Sequence, residues 1–176
     1  MQLSFSELKD LVFNAGLGMN LPAGSCEDLA FAVASLESLN FNGSNEFLHA
    51  IACKNNLIRD FVIKKNEVEV DIGRTLFEGI YAVDLYIAEK VNKIIFHEFD
   101  CPMLLVGLGC NYNNANFSIW YSDKIIGSIN LGKIFWDNDF KLRNCSVSMA
   151  RSDSAITGYP KKKDRLNLSQ STFKKL

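Results

Sequence analysis

The stretch Asp100-Cys101-Pro102-Met103-Leu104-Leu105-Val106-Gly107-Leu108-Gly109-Cys110 decides how the rest of the chain is read. It is the most apolar window of the sequence and carries no charge after Asp100. An Asp followed within one turn by a Pro marks a helix start: the carboxylate can accept free backbone N–H groups, and proline has no N–H to leave unpaired. The helix behind this start has no polar face, so it must be buried on all sides. It therefore belongs at the centre of a single core. Its N-terminus also carries Cys101, where the positive end of the helix dipole favours a thiolate.

Upstream of this window, Lys93-Ile94-Ile95-Phe96-His97-Glu98-Phe99 reads as a strand. Before it, Thr75 to Lys90 carries apolar residues at Leu76, Ile80, Val83, Leu85 and Ile87, a helix with charges on its other side. Val68 and Val70 alternate with acids and predict a strand ending at Gly73. The N-terminal third is helical. Ser4 and Glu7 form an S-x-x-E capping box, with Phe5, Leu8, Leu11, Val12 and Ala15 on one face and Gly16 and Gly18 at the end. Ser25 is the expected cap of a second helix through Leu39, paired with the first as a hairpin. A short third helix is expected over Glu46 to Cys53, broken by Asn55-Asn56, and residues 56 to 65 carry no clear pattern.

Downstream, the period changes. Phe117, Ile119 and Tyr121 alternate with polar residues except at Trp120, and Ser122-Asp123-Lys124 turns the chain into Ile125 to Leu131. This is a β-hairpin pattern. Phe135 and Trp136 belong to a loop or short strand, and Cys145, Val147 and Met149 mark another strand. The expected fold is α+β: an N-terminal helical hairpin, an αβ region and a C-terminal antiparallel β-meander around one core. Residues 1–157 are expected to form that domain, and 158–176 a basic, partly mobile tail.

The 176 residues suffice for one full-sized domain, which buries roughly 70% of its unfolded surface. The net charge of −1 gives no global attraction to nucleic acid. The tail from Gly158 to Leu176 holds six basic residues and one acid, Asp164. That is a solvated end rather than a nucleic-acid site. The longest apolar run is about half of the roughly 20 residues a membrane span needs. The first residues, Met1-Gln2-Leu3-Ser4-Phe5-Ser6-Glu7, lack the basic and apolar parts of a signal peptide. Five scattered cysteines (Cys26, Cys53, Cys101, Cys110, Cys145) read as free thiols in a reducing compartment, so a cytoplasmic location is expected.

The candidates for chemistry are few. Cys101 is the first, with His97 four residues before it as the base a nucleophilic thiol requires. His97, Glu98 and Asp100 form a small polar cluster at a strand end, where sites of αβ folds lie. His97 and Glu98 should point to opposite faces of a strand, which excludes one metal held by both. His49 and Cys53 stand at i and i+4, a workable spacing for two metal ligands. No second pair of ligands accompanies them, so no metal is expected. Gly107-Leu108-Gly109 lacks the third glycine and the basic residue of a phosphate loop, and it reads as close packing of a buried helix; no cofactor is expected.

Two stretches carry a resemblance. Leu3-Ser4-Phe5-Ser6-Glu7-Leu8 through Gly16-Leu17 to Cys26-Glu27-Asp28-Leu29-Ala30, with Asp100-Cys101-Pro102-Met103-Leu104-Leu105-Val106-Gly107-Leu108, resembles a family of small proteobacterial proteins known only as a domain of unknown function. The resemblance covers about a third of the chain and implies an α+β cytosolic protein of this size. It implies no catalytic residues. Members of that family extend into a glycine-rich C-terminus, whereas this sequence ends Phe173-Lys174-Lys175-Leu176. The first two helices are also faintly similar to the start of malate/lactate-type dehydrogenases, which need a far longer chain and a nicotinamide site.

The reading that follows is a non-catalytic accessory or protein-interaction protein. The alternative is a small cytosolic enzyme acting on a metabolite through Cys101 or the His97/Asp100 cluster. Ile119, Trp120 and Tyr121 are three consecutive large residues, so a strand there must turn one bulky face outward. A protein partner or homodimer burying Trp120 or Trp136 is therefore expected, with a small-molecule ligand as a lesser option.

Overall fold

A computed structural model describes residues 2–53, 61–137, 142–151 and 166–167. Helices α1 (Phe5–Gly18), α2 (Ala23–Ser38) and α3 (Gly43–Ala52) come first. Strands β2 (Val62–Lys64) and β3 (Glu67–Gly73) form a hairpin. A π-helical turn, Thr75–Gly79, runs directly into α4 (Ile80–Ile87) and leads to β4 (Lys93–Phe99). Then come α5 (Pro102–Gly109), β5 (Asn116–Tyr121), β6 (Lys124–Asn130), β7 (Lys133–Trp136) and β8 (Cys145–Ala150). A short β1 (Gln2–Leu3) pairs antiparallel with β9 (Leu166–Asn167). These last two residues are the described part of the basic tail. The rest of 158–176 lies outside the described residues, as do Asn55 and Asn56.

The seven-stranded sheet has the order β2-β3-β4-β8-β5-β6-β7. Among the described residues, only β3 and β4 run parallel, joined through the π-turn and α4 as a crossover requires. The architecture is α+β, and β5, β6 and β7 form the expected meander. β8 departs from it: the strand returns to the middle of the sheet and pairs with both β4 and β5. Its alternation of Val147 and Met149 with serines was visible in the sequence, but pairing partners so distant in the chain leave no local signal.

α5 is the buried centre. Every residue from Leu104 to Gly109 is buried. Its two glycines let it fit between two layers. A Cβ on Gly107 would lie 2.8 Å from Leu36 Cδ1 of α2, and one on Gly109 would lie 2.9 Å from the rings of Phe117 and from Ile129 Cγ2 in the sheet. The Gly107-Leu108-Gly109 run is therefore a close-packing device inside the helix.

Local signals differ in two places. α1 is capped as expected, with Glu7 N–H donating to Ser4 Oγ and Ser4 N–H to Glu7 Oε2. It runs through Gly16, however. A Cβ there would lie 2.7 Å from Cys26 Sγ, so Gly16 permits the α1–α2 approach, and the left-handed residue that follows the helix is Asn20 (φ 61°). α2 starts at Ala23 after Pro22, which places Ser25 inside the helix rather than at its cap.

The helices cover one face of the sheet. Val70, Ile94, Phe96, Val147, Met149, Phe117, Ile119 and Ile129 are buried beneath them. Cross-strand register places Glu69, Ile95, Ser148, Trp120 and Ile125 in one row on the opposite face. Trp136 is opposite Gly127, over which its ring packs on the helix side, and it is 5% exposed.

Candidate functional site

Two places on this framework gather side chains with functional potential. The first is the junction where parallel β3 and β4 deliver their carboxyl ends side by side, Gly73 opposite Phe99. Ligand sites of αβ arrangements gather at such ends. Arg74 leaves β3 and donates from both Nη1 and Nη2 to Glu98 Oε1 at 3.0 Å. Asp100 is fully buried. Its Oδ1 accepts from Thr75 N–H at 2.9 Å, Thr75 Oγ1 at 2.6 Å and Cys101 N–H at 2.7 Å. The carboxylate therefore caps the π-turn and not α5, whose N-terminal side has no side-chain cap. Burial pushes its carboxyl above the ordinary range, against the pull of those hydrogen bonds and of Arg74.

α3 closes over this junction. Arg143 Nη2 donates to Glu46 Oε1 at 2.8 Å, and the Cys101 thiol donates to the Glu46 carbonyl at 3.3 Å. Cys101 is 0% exposed, and burial, then the neighbouring Asp100 and Glu46 carboxylates, push its thiol far up. The favourable helix terminus expected from the sequence is outweighed by desolvation, and the thiol is the stable form. His97 is exposed, and strand alternation sets it on the face opposite Phe96. No hydrogen bond among the described residues joins it to Cys101 or Asp100. The structure thus brings Asp100 and Cys101 together and sets His97 apart. It also places His49 Nε2 3.4 Å from Cys53 Sγ at the end of α3.

Sequence reasoning missed Arg74, Thr75, Glu46 and Arg143 here. Gly73-Arg74-Thr75 after an alternating strand was the available signal for the first two. The arginines are each committed to a glutamate. Among the described residues, no three His, Cys, Asp or Glu side chains are grouped to hold a metal ion.

The second place is a shallow groove of about 210 Å³ on the face of the sheet opposite the helices. Lys93 and Ile95 of β4, Trp120 of β5, Ser122 of the hairpin turn, and Ser146 and Ser148 of β8 line it. Ser148 stands between its neighbours, opposite Ile95 on one side and Trp120 on the other. The floor is thus indole and aliphatic carbon, the walls carry hydroxyls, and one end carries an ammonium. Among the described residues, no helix is long and apolar enough to cross a membrane.

Residues 3–72 match the model of a family described as a protein of unknown function (DUF3726). The match takes in α1, α2, α3 and the β2–β3 hairpin, and stops before the junction is complete. No curated protein and no solved structure matches the chain.

Proposed function

We propose that this chain is a non-catalytic protein-interaction module of a bacterial cytoplasm that docks its partner on the face of the sheet opposite the helices, around Trp120. The observation that carries this reading is that, among the described residues, the helices cover one face of a seven-stranded sheet and a half-buried tryptophan lies in a groove on the other. Large aromatic residues in such grooves are the anchors that contribute most to protein association. The groove fits a partner protein that inserts an aliphatic or aromatic side chain beside Trp120 and sets a carboxylate near Lys93. Free thiols at all five cysteines support a reducing compartment. The metabolic-enzyme alternative has less support, because Cys101 is sealed under α3 and His97 sits on the other face.

The test is isolation of the intact chain with its bound protein from its native host, comparing wild type with Trp120→Ser. The variant should melt close to wild type and lose a stoichiometric partner. Retention of the same partner at the same stoichiometry would contradict the proposal. A complex containing only a second copy of the chain would replace the hetero-partner with a dimer.

A further inference from the structure

α3 ends in a pair of side chains that the core does not use. His49 and Cys53 stand one turn apart, with Nε2 3.4 Å from Sγ. Asn144 Oδ1 lies 3.9 Å from the same sulfur. Asn144 sits just ahead of β8: its backbone is left-handed (φ 49°) and its N–H donates to the Asp100 carbonyl at 3.3 Å. The thiol therefore has a base and a second acceptor in reach, from two different parts of the chain. The other cysteines differ. Cys26 and Cys101 are buried, and the thiols of Cys26, Cys101 and Cys110 point at backbone carbonyls of Leu21, Glu46 and Val106. Cys53, Cys110 and Cys145 are all part-exposed, and of these Cys53 has an imidazole contact.

A thiol within reach of an imidazole is the pairing that activates a sulfur nucleophile, and Asn144 Oδ1 is a second acceptor for the same S–H. We propose that Cys53, with His49 as its proton acceptor, is the reactive thiol of this chain and a site of covalent modification by soft carbon electrophiles. In that step the Sγ–C bond forms as the carbon–leaving-group bond breaks. The S–H proton passes to His49 Nε2, and the leaving group departs with its electron pair. No oxidant or reductant takes part.

The charged groups facing the pair are Glu46 on α3, Arg143 ahead of β8, and Arg74, Glu98 and Asp100 at the strand ends. Burial and the Arg143 guanidinium hold the His49 imidazole below its ordinary range, and burial, then Asp100, raise the Cys53 thiol. Cys53 also caps the C-terminus of α3, where the helix dipole disfavours an anion. The resting pair is therefore a neutral thiol beside a neutral imidazole. The attacking thiolate forms when the S–H proton passes to His49 Nε2, and burial and the helix terminus keep that ion pair the minor form.

The experiment is timed alkylation of the intact folded chain with iodoacetamide near neutral pH, with each cysteine followed by mass spectrometry. Cys53 should react first of the five, and His49→Gln should slow it about tenfold while leaving Cys110 and Cys145 unchanged. Those two thiols report within the same molecule whether the variant is folded. The wild-type rate of Cys53 should also rise less steeply between about pH 6 and 8 than the tenfold per unit of an unassisted thiol. Cys110 or Cys145 reacting as fast as Cys53, a His49→Gln variant with unchanged Cys53 kinetics, or a full tenfold slope would each overturn the proposal.

Discussion

Replacing Asp100 distinguishes a structural lock from a reacting group. Its Oδ1 holds three donors: the Thr75 and Cys101 N–H groups and the Thr75 hydroxyl. Asp100→Ala leaves all three without that acceptor in a site from which water is excluded. Each unpaired buried group costs about 1–3 kcal/mol, and removing the carboxylate recovers part of its own desolvation, so the net loss should be about 3–5 kcal/mol. Asp100→Asn keeps the accepting oxygen and removes the charge, so it should stay within about 1.5 kcal/mol of wild type. The pH dependence follows from the raised carboxyl. A group raised in the folded state contributes stability that is complete below its unfolded value, about 3.9, and is lost as pH rises through the folded value. Asn cannot titrate, so its stability relative to wild type should improve as pH climbs through that window. Urea unfolding followed by circular dichroism at several pH values measures both quantities. Asp100→Ala within about 1 kcal/mol of wild type, or Asn as damaging as Ala, would refute the reasoning.

Other substitutions probe other contacts. Leu105→Asp places an unpaired charge in the fully buried α5 and should unfold the chain, costing several kcal/mol; a soluble variant with a cooperative melt would show the core misassigned. Glu37 Oε2 accepts the Ser44 N–H at 3.0 Å and so caps α3 from α2, and Glu37→Ala should cost about 1–2 kcal/mol in a thermal melt. A Cβ on Gly127 would lie 2.3 Å from the Trp136 ring, so Gly127→Ala should cost about 1–3 kcal/mol and move tryptophan emission to the red as the ring is displaced. An unchanged emission spectrum would argue against that stacking.

The parts of the fold that were legible are those written in consecutive residues. β4 has the span read from its residues, and α5 occupies the apolar window because a helix without a polar face has nowhere else to go. The Ser4–Glu7 box caps α1 as its spacing requires. What escaped the sequence depends on residues far apart. Asp100 looked like the cap of the helix that follows it, yet its acceptor serves Thr75, twenty-five positions earlier. β8 looked like one more strand of a meander, yet it pairs between β4 and β5. Both tryptophans looked like residues that a partner would bury. Register separates them, because Trp136 lies over a glycine on the helix side while Trp120 faces out. His49 and Cys53 were visible as a helical pair, but Asn144, 91 positions away, was not.

The face of the sheet opposite the helices is tested most directly by placing a photo-reactive phenylalanine analogue at position 120 and irradiating native host cells. The same probe at Glu27, exposed on the helical side, serves as the control. Position 120 should give one defined adduct with another protein, absent from position 27 and abolished by Ile95→Glu. No adduct from position 120, or the same adducts from both positions, would contradict the assignment of this face as the docking surface.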